Sequence, residues 1–128
     1  MNFRLSETRV RSLTINELDV SKDIFELKYS NGYSKDQDDV FVVQFDVAVK
    51  SEQGFELEIQ YVAEFESDES ISDDFKKSQF PIVNAPAIAY PYLRAFISLL
   101  TLNAGYETLI LPTVNFQAMA NKRKEKEA

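Results

Sequence analysis

The sequence predicts an α+β chain: a four-stranded antiparallel sheet followed by a long apolar helix and a short C-terminal helix. Three observations predict it. Apolar and polar residues alternate with period two over long runs of the first two thirds. The stretch 84–104 then carries a single charge, Arg94, in twenty-one residues. Asn-Gly, Gln-Gly and proline punctuation divides the chain into segments of strand or helix length.

The clearest strand covers residues 55–66. Phe55, Leu57, Ile59, Tyr61, Ala63 and Phe65 alternate with Glu56, Glu58, Gln60, Val62, Glu64 and Glu66, which places one face in a core and the other in water. Phe41, Val43, Phe45, Val47 and Val49 repeat the pattern. Val40, Val42 and Ala48 on the opposite face mark that strand as central or doubly covered. Gln53-Gly54 joins the two as a hairpin turn. A weaker strand holds Phe25, Leu27 and Tyr29, with Asn31-Gly32 expected to end it and a polar loop expected over residues 33–39. The first strand lies between Phe3 and Leu18, with a bulge expected around Glu7 to Arg9 where alternation fails.

Residues 67–78 are polar and acidic and read as a connection or short helical turn. Phe80-Pro81 leads into the apolar helix, with Asn84 as an expected cap and Pro86 in the first turn. Pro91 either kinks this helix or opens its regular part. Arg94, Ser98 and Thr101 fall on one narrow stripe. Asn103 and Gly105 mark its end. Leu109 to Pro112 is an extended apolar run, and Thr113 or Asn115 is expected to cap the last helix. The expected organisation is one domain over residues 1–121 and a charged tail over 122–128.

A helix apolar on nearly all sides needs cover on more than one side. A chain of 128 residues has little material for this, so a second subunit is the expected cover. Two prolines and Arg94 argue against a membrane span, as does the upstream sheet, which needs a covering helix. Residues 1–10 show no signal-peptide pattern, and a cytoplasmic location is expected.

The composition removes whole classes of chemistry. The chain has no Cys, no His and no Trp, so disulfide, thiolate and imidazole chemistry are excluded. Zinc would need carboxylates alone. No Gly-rich phosphate loop or nucleophile-elbow motif is present. Glu56 and Glu58 share a strand face, but alternating Glu is the ordinary solvated face of a strand. A non-enzymatic role without a metal or other cofactor is therefore expected. Residues 31–75 hold thirteen acids against two lysines, within a chain of net charge -7. Such a body repels phosphate backbones, so nucleic acid is an unfavourable partner. The acid excess serves solubility or docks a basic partner.

Two segments carry a family resemblance. Tyr90-Pro91-Tyr92-Leu93-Arg94 resembles the Phe-Pro-Tyr-Ala-Arg segment that opens the long helix of SecB export chaperones. Val114-Asn115-Phe116 resembles that family's Pro-Val-Asn-Phe segment before its last helix. The two matches stand in the family's order and at its approximate spacing.

The resemblance implies a sheet with helices on one side, assembly as a homotetramer or at least a dimer, and ATP-independent holding of non-native polypeptide clients. It places Arg94, Phe96, Ile97, Ser98, Leu100 and Thr101 at the oligomer interface, with Arg94, Ser98 and Thr101 alternatively facing water at a subunit edge. Candidate groove residues are Tyr90, Tyr92, Tyr106, Phe116 and Met119, although aromatic and Met residues are more often buried for packing than open in a groove. An acidic docking face for the SecA motor would use Glu56, Glu58 and Glu64. Glu58-Ile59-Gln60 resembles the family's Glu-Val-Gln, but Arg9 and Arg11 stand where the family has acids. The C-terminus after Phe116 is short. These departures leave open a divergent branch with a dedicated partner, such as a toxin–antitoxin chaperone or another regulatory client. A SecB-fold protein that binds a small ligand is a further alternative.

Overall fold

The computed structural model describes residues 2–127, and side chains through Lys124. Strands β1 (Phe3–Glu17), β2 (Ile24–Tyr33), β3 (Val40–Ser51) and β4 (Phe55–Ser67) form one antiparallel sheet in the order β1-β4-β3-β2. β2, β3 and β4 follow one another as hairpins, while β1 lies beside β4 in a Greek-key arrangement. Its connection to β2 therefore passes the β3–β4 turn. The Leu18 N–H donates to the Gly54 carbonyl at 2.9 Å, and the Asp23 carboxylate accepts from the Glu52 N–H at 2.7 Å.

One sheet face is the core. Phe55, Leu57, Ile59, Tyr61, Ala63 and Phe65 are buried, as are Phe41, Val43, Phe45, Val47 and Val49. Full burial of each large side chain contributes on the order of 2 kcal/mol. Two sequence expectations need correction here. β2 does not stop at Asn31-Gly32; it continues to Tyr33, paired with Phe41. Gly32 is present for space, because a Cβ there would lie 2.8 Å from a methyl of Val42. In β1 the irregularities fall between Leu5 and Glu7 and between Val10 and Ser12, flanking the expected position.

After a short helix α1 (Asp73–Lys76), a π-helical turn at Phe80–Asn84 runs directly into α2 (Ala85–Asn103). Asn84 is helical and caps nothing, which corrects a further expectation. Proline explains the turn. Pro86 has no N–H to give the Ile82 carbonyl, and the Ala85 N–H goes to Phe80. Side chains of β2 supply the missing donors: the Tyr29 hydroxyl reaches Ile82 O at 2.8 Å and the Asn31 amide reaches Pro81 O at 2.7 Å. Pro91 sits within α2 without ending it.

Gly105, at φ 95°, closes α2, and the Tyr106 N–H returns to the Thr101 carbonyl at 3.0 Å. An extended segment follows. The Asn115 side chain then caps α3 (Phe116–Glu127) by accepting from the Ala118 N–H at 2.9 Å. The backbone of residues 122–127 continues this helix. Met1 and Ala128, the ends of the expected domain and tail, lie outside the described residues.

Candidate functional site

Helix α2 has three sides with different surroundings. Ala85, Pro86, Ala89, Tyr90, Leu93 and Ile97 face the sheet and are buried. The opposite side is almost as apolar, yet Ile88, Tyr92, Leu99 and Leu102 are 46–60% exposed. With Ala95 they fall at spacings of four and three and form one straight stripe along the helix. The π turn and α2 together span Phe80–Asn103, long and apolar enough by length and composition to cross a membrane. In this fold their inner side is the core of the sheet.

The third side is polar and holds the chain's own C-terminal segment. The Tyr90 hydroxyl donates to Pro112 O at 2.7 Å, Arg94 Nε to Leu111 O at 3.1 Å, and Ser98 Oγ to Leu109 O at 2.8 Å. Thr101 Oγ accepts the Leu109 N–H at 3.0 Å and donates to Ile97 O at 2.9 Å. This ladder fixes residues 109–112 alongside α2 without a strand partner. Burial pushes the Tyr90 phenol above its ordinary pKa, and the nearby Arg94 charge opposes that shift.

The ladder corrects the expected role of Arg94, Ser98 and Thr101. Within the subunit their hydrogen bonds go to the chain's own backbone, at residues 109–111 and in the preceding turn of α2. Ile97 and Thr101 are fully buried within the subunit. Phe96 stacks on Tyr61 with ring centres 5.9 Å apart, and Phe96 and Leu100 are half-buried beside the core. The bare stripe instead uses Ile88, Leu99 and Leu102, which sequence reasoning missed, together with Tyr92. Composition could not separate the two faces, because both are apolar.

The segment 109–112 and α3 leave an open margin along the inner side of β2. Its floor is Phe25, Leu27 and Tyr29, alternate residues of one strand. Toward the Phe25 end, Leu109, Ile110 and Leu111 wall a depression of about 450 Å³. Toward the Tyr29 end, Met119 of α3 walls one of about 400 Å³.

Of the expected groove residues, only Met119 lines this margin. Tyr90 and Phe116 are each 4% exposed and pack edge-on, 5.6 Å between centres, so they are core rather than open groove. Tyr106 packs on Phe55 at 4.3 Å, and Tyr92 belongs to the outer stripe. The groove-floor residues Phe25, Leu27 and Tyr29 carried a sequence signal, but only that of an ordinary amphipathic strand.

The outer sheet face carries Glu56, Glu58 and Glu64. Glu58 is exposed, while Glu56 and Glu64 are half-exposed; Glu64 accepts from the Ser6 hydroxyl at 3.0 Å. Cations are interspersed. Lys50 lies opposite Glu56, Lys28 opposite Asp46, Arg4 pairs with Glu66, and Arg11 donates to Gln44 Oε1 at 2.6 Å. The face is therefore of mixed sign. Among the described residues no group of three or more acids is arranged to hold a metal ion. What the molecule offers is apolar surface, extended backbone and charge.

Comparison with known proteins agrees with this geometry. Residues 15–127 match the family model of SecB, preprotein translocase subunit SecB. Over 83 residues the chain is 31% identical to the protein-export protein SecB of Anaplasma phagocytophilum, covering 63% of this chain and 52% of that protein. Over 101 residues it is 33% identical to the uncharacterized protein MJ0357 of Methanocaldococcus jannaschii, covering 74% of this chain and 64% of that protein. The chain thus spans about half the length of the first and less than two thirds of the second. The fold is also that of the Mycobacterium tuberculosis Rv1957 SecB-like chaperone, solved in complex with a ChAD peptide from the Rv1956 HigA1 antitoxin. The TM-score is 0.66 at 13% identity, over 88% of each chain.

Proposed function

The chain belongs to the SecB family, and on that premise we propose that it is an ATP-independent holdase, binding unfolded or extended polypeptides without chemical turnover. The observation that carries this reading is the apolar margin along β2, where Phe25 and Leu27 stay half-exposed beside a segment and a helix that wall them. An unfolded chain presents apolar side chains on an extended backbone, which is the shape this margin fits. Each such contact is weak, and several margins in one assembly hold a client by avidity.

The assembly is a homo-oligomer, a dimer or tetramer, built on the outer stripe of α2. Exposing Ile88, Tyr92, Leu99 and Leu102 to water along one line is unfavourable, and a second copy of the same helix offers a matching apolar surface. The working location is the cytoplasm, where chains await folding or export.

The test is light-scattering aggregation of a slow-folding, chemically unfolded client, in the absence of ATP. The holdase reading predicts suppression that saturates at a fixed stoichiometry. Unchanged client aggregation at excess protein would contradict it.

A second reading is favoured by the mixed sign of the outer sheet face. A surface with Arg4, Arg11, Lys28 and Lys50 among its acids is a poor match for a docking site that relies on negative charge. On this reading the chain serves a dedicated protein partner, such as the antitoxin of a toxin–antitoxin pair, rather than the SecA motor. Calorimetric titration with SecA separates the two: heat of binding supports export, and none supports a dedicated partner.

A further inference from the structure

The margin along β2 carries opposite charges at its two ends. Resting on the reading of that margin as a polypeptide groove, we propose that it selects extended apolar client segments with a carboxylate at the Tyr29 end and a cation at the Phe25 end, about five residues away.

At the Tyr29 end the charges that α3 brings are Lys122 and Arg123, with no acid among the described residues that line it, while Lys28 on the strand edge points to the outer sheet face. The Arg123 guanidinium lies over the Tyr29 ring, 5.2 Å from its centre. A cation held on an aromatic face stays at the apolar floor instead of sweeping through water. Two adjacent cations here run against the chain's net charge of -7. At the Phe25 end the lining acids are Asp23, Glu52 and Glu107, and the one cation there, Lys50, points to the outer sheet face opposite Glu56. The bond from the Glu52 N–H to the Asp23 carboxylate draws those two residues together.

The separation is set by the strand. From Asp23 to the Tyr29 ring beneath Arg123 is five to six residues, or roughly 17–20 Å of extended chain. That exceeds the screening length of about 8 Å at physiological salt, so each end acts on a client charge independently. Between them Phe25, Leu27 and Tyr29 present apolar surface at every second residue, which an extended client matches in period. Opposed charges at the ends favour one orientation of a client whose own charges differ end to end.

The experiment is fluorescence anisotropy on the whole protein with four peptides sharing one apolar core. One is uncharged, one has Asp at one end, one has Asp and Lys five residues apart, and one has Lys at both ends. The Asp–Lys peptide is expected to bind tightest, about tenfold tighter than the double-Lys peptide, with the difference shrinking as salt is raised. In the Lys122→Glu, Arg123→Glu variant, both changes at exposed positions, the order of the peptides is expected to reverse, the double-Lys peptide then binding tighter than the single-Asp peptide. Equal binding of all four peptides, or an order unchanged by the variant, would overturn charge selection while leaving the groove in place. Binding of no peptide would remove the groove reading and this proposal together.

Discussion

Leu93 and Leu99 lie six residues apart on one helix, the first fully buried and the second 60% exposed. The same contrast runs the length of α2. Its inner side is packed among the phenylalanines of β3 and β4, and its outer side is left open by the described residues. The two sides have almost the same composition, so the difference between them is one of cover and not of residue type. The inner side makes the subunit, and on the proposed function the outer side makes the oligomer.

The largest effect is expected on the inner side. Leu93→Ala removes a fully buried side chain and leaves a cavity, costing about 2–5 kcal/mol in chemical denaturation. Next comes the polar side. Thr101→Val keeps the shape of the side chain but strands the Leu109 N–H, costing about 1–3 kcal/mol.

Tyr90→Phe is milder, about 1 kcal/mol, through loss of the bond to Pro112 O. It carries a pH signature. Because burial raises the Tyr90 pKa in the folded state, its contribution is complete below the unfolded value of about 10 and is lost as pH rises through the folded value. The wild type should therefore lose stability in that alkaline range, and the Phe variant should lose less. Smallest is Leu99→Lys on the outer side. It should leave the subunit within about 0.5 kcal/mol of its original stability while removing the dependence of the unfolding midpoint on protein concentration. A cost as large as that of Leu93→Ala would erase the contrast between the two faces.

The sheet was legible because period two in β3 and β4 has one physical meaning, a single buried face. The helix was legible from its long run with a single charge and from Pro86 in its first turn. Three features were not. Asn31-Gly32 has the composition of a turn, yet here the glycine makes room for Val42 within a continuing strand. The stripe of Arg94, Ser98 and Thr101 looked like a boundary with water or a partner. Its true partners are mainly backbone groups of residues 109–111, which bear no side-chain signature.

The groove was the least legible. Aromatic residues near the family-like segments drew attention to Tyr90 and Phe116, but those rings pack on each other. Phe25 and Leu27 line the margin because β2 is an edge strand that the helices do not fully cover, a fact of strand order rather than of local pattern.

The most direct test of the contrast within α2 is the mass of the protein in solution by size exclusion with light scattering, for the wild type and for a Leu99→Lys, Leu102→Lys variant. The wild type is predicted to run as a multiple of the chain mass, and the variant as a single chain with unchanged circular dichroism. A wild type that remains monomeric at high concentration would contradict the assignment of the outer face to assembly.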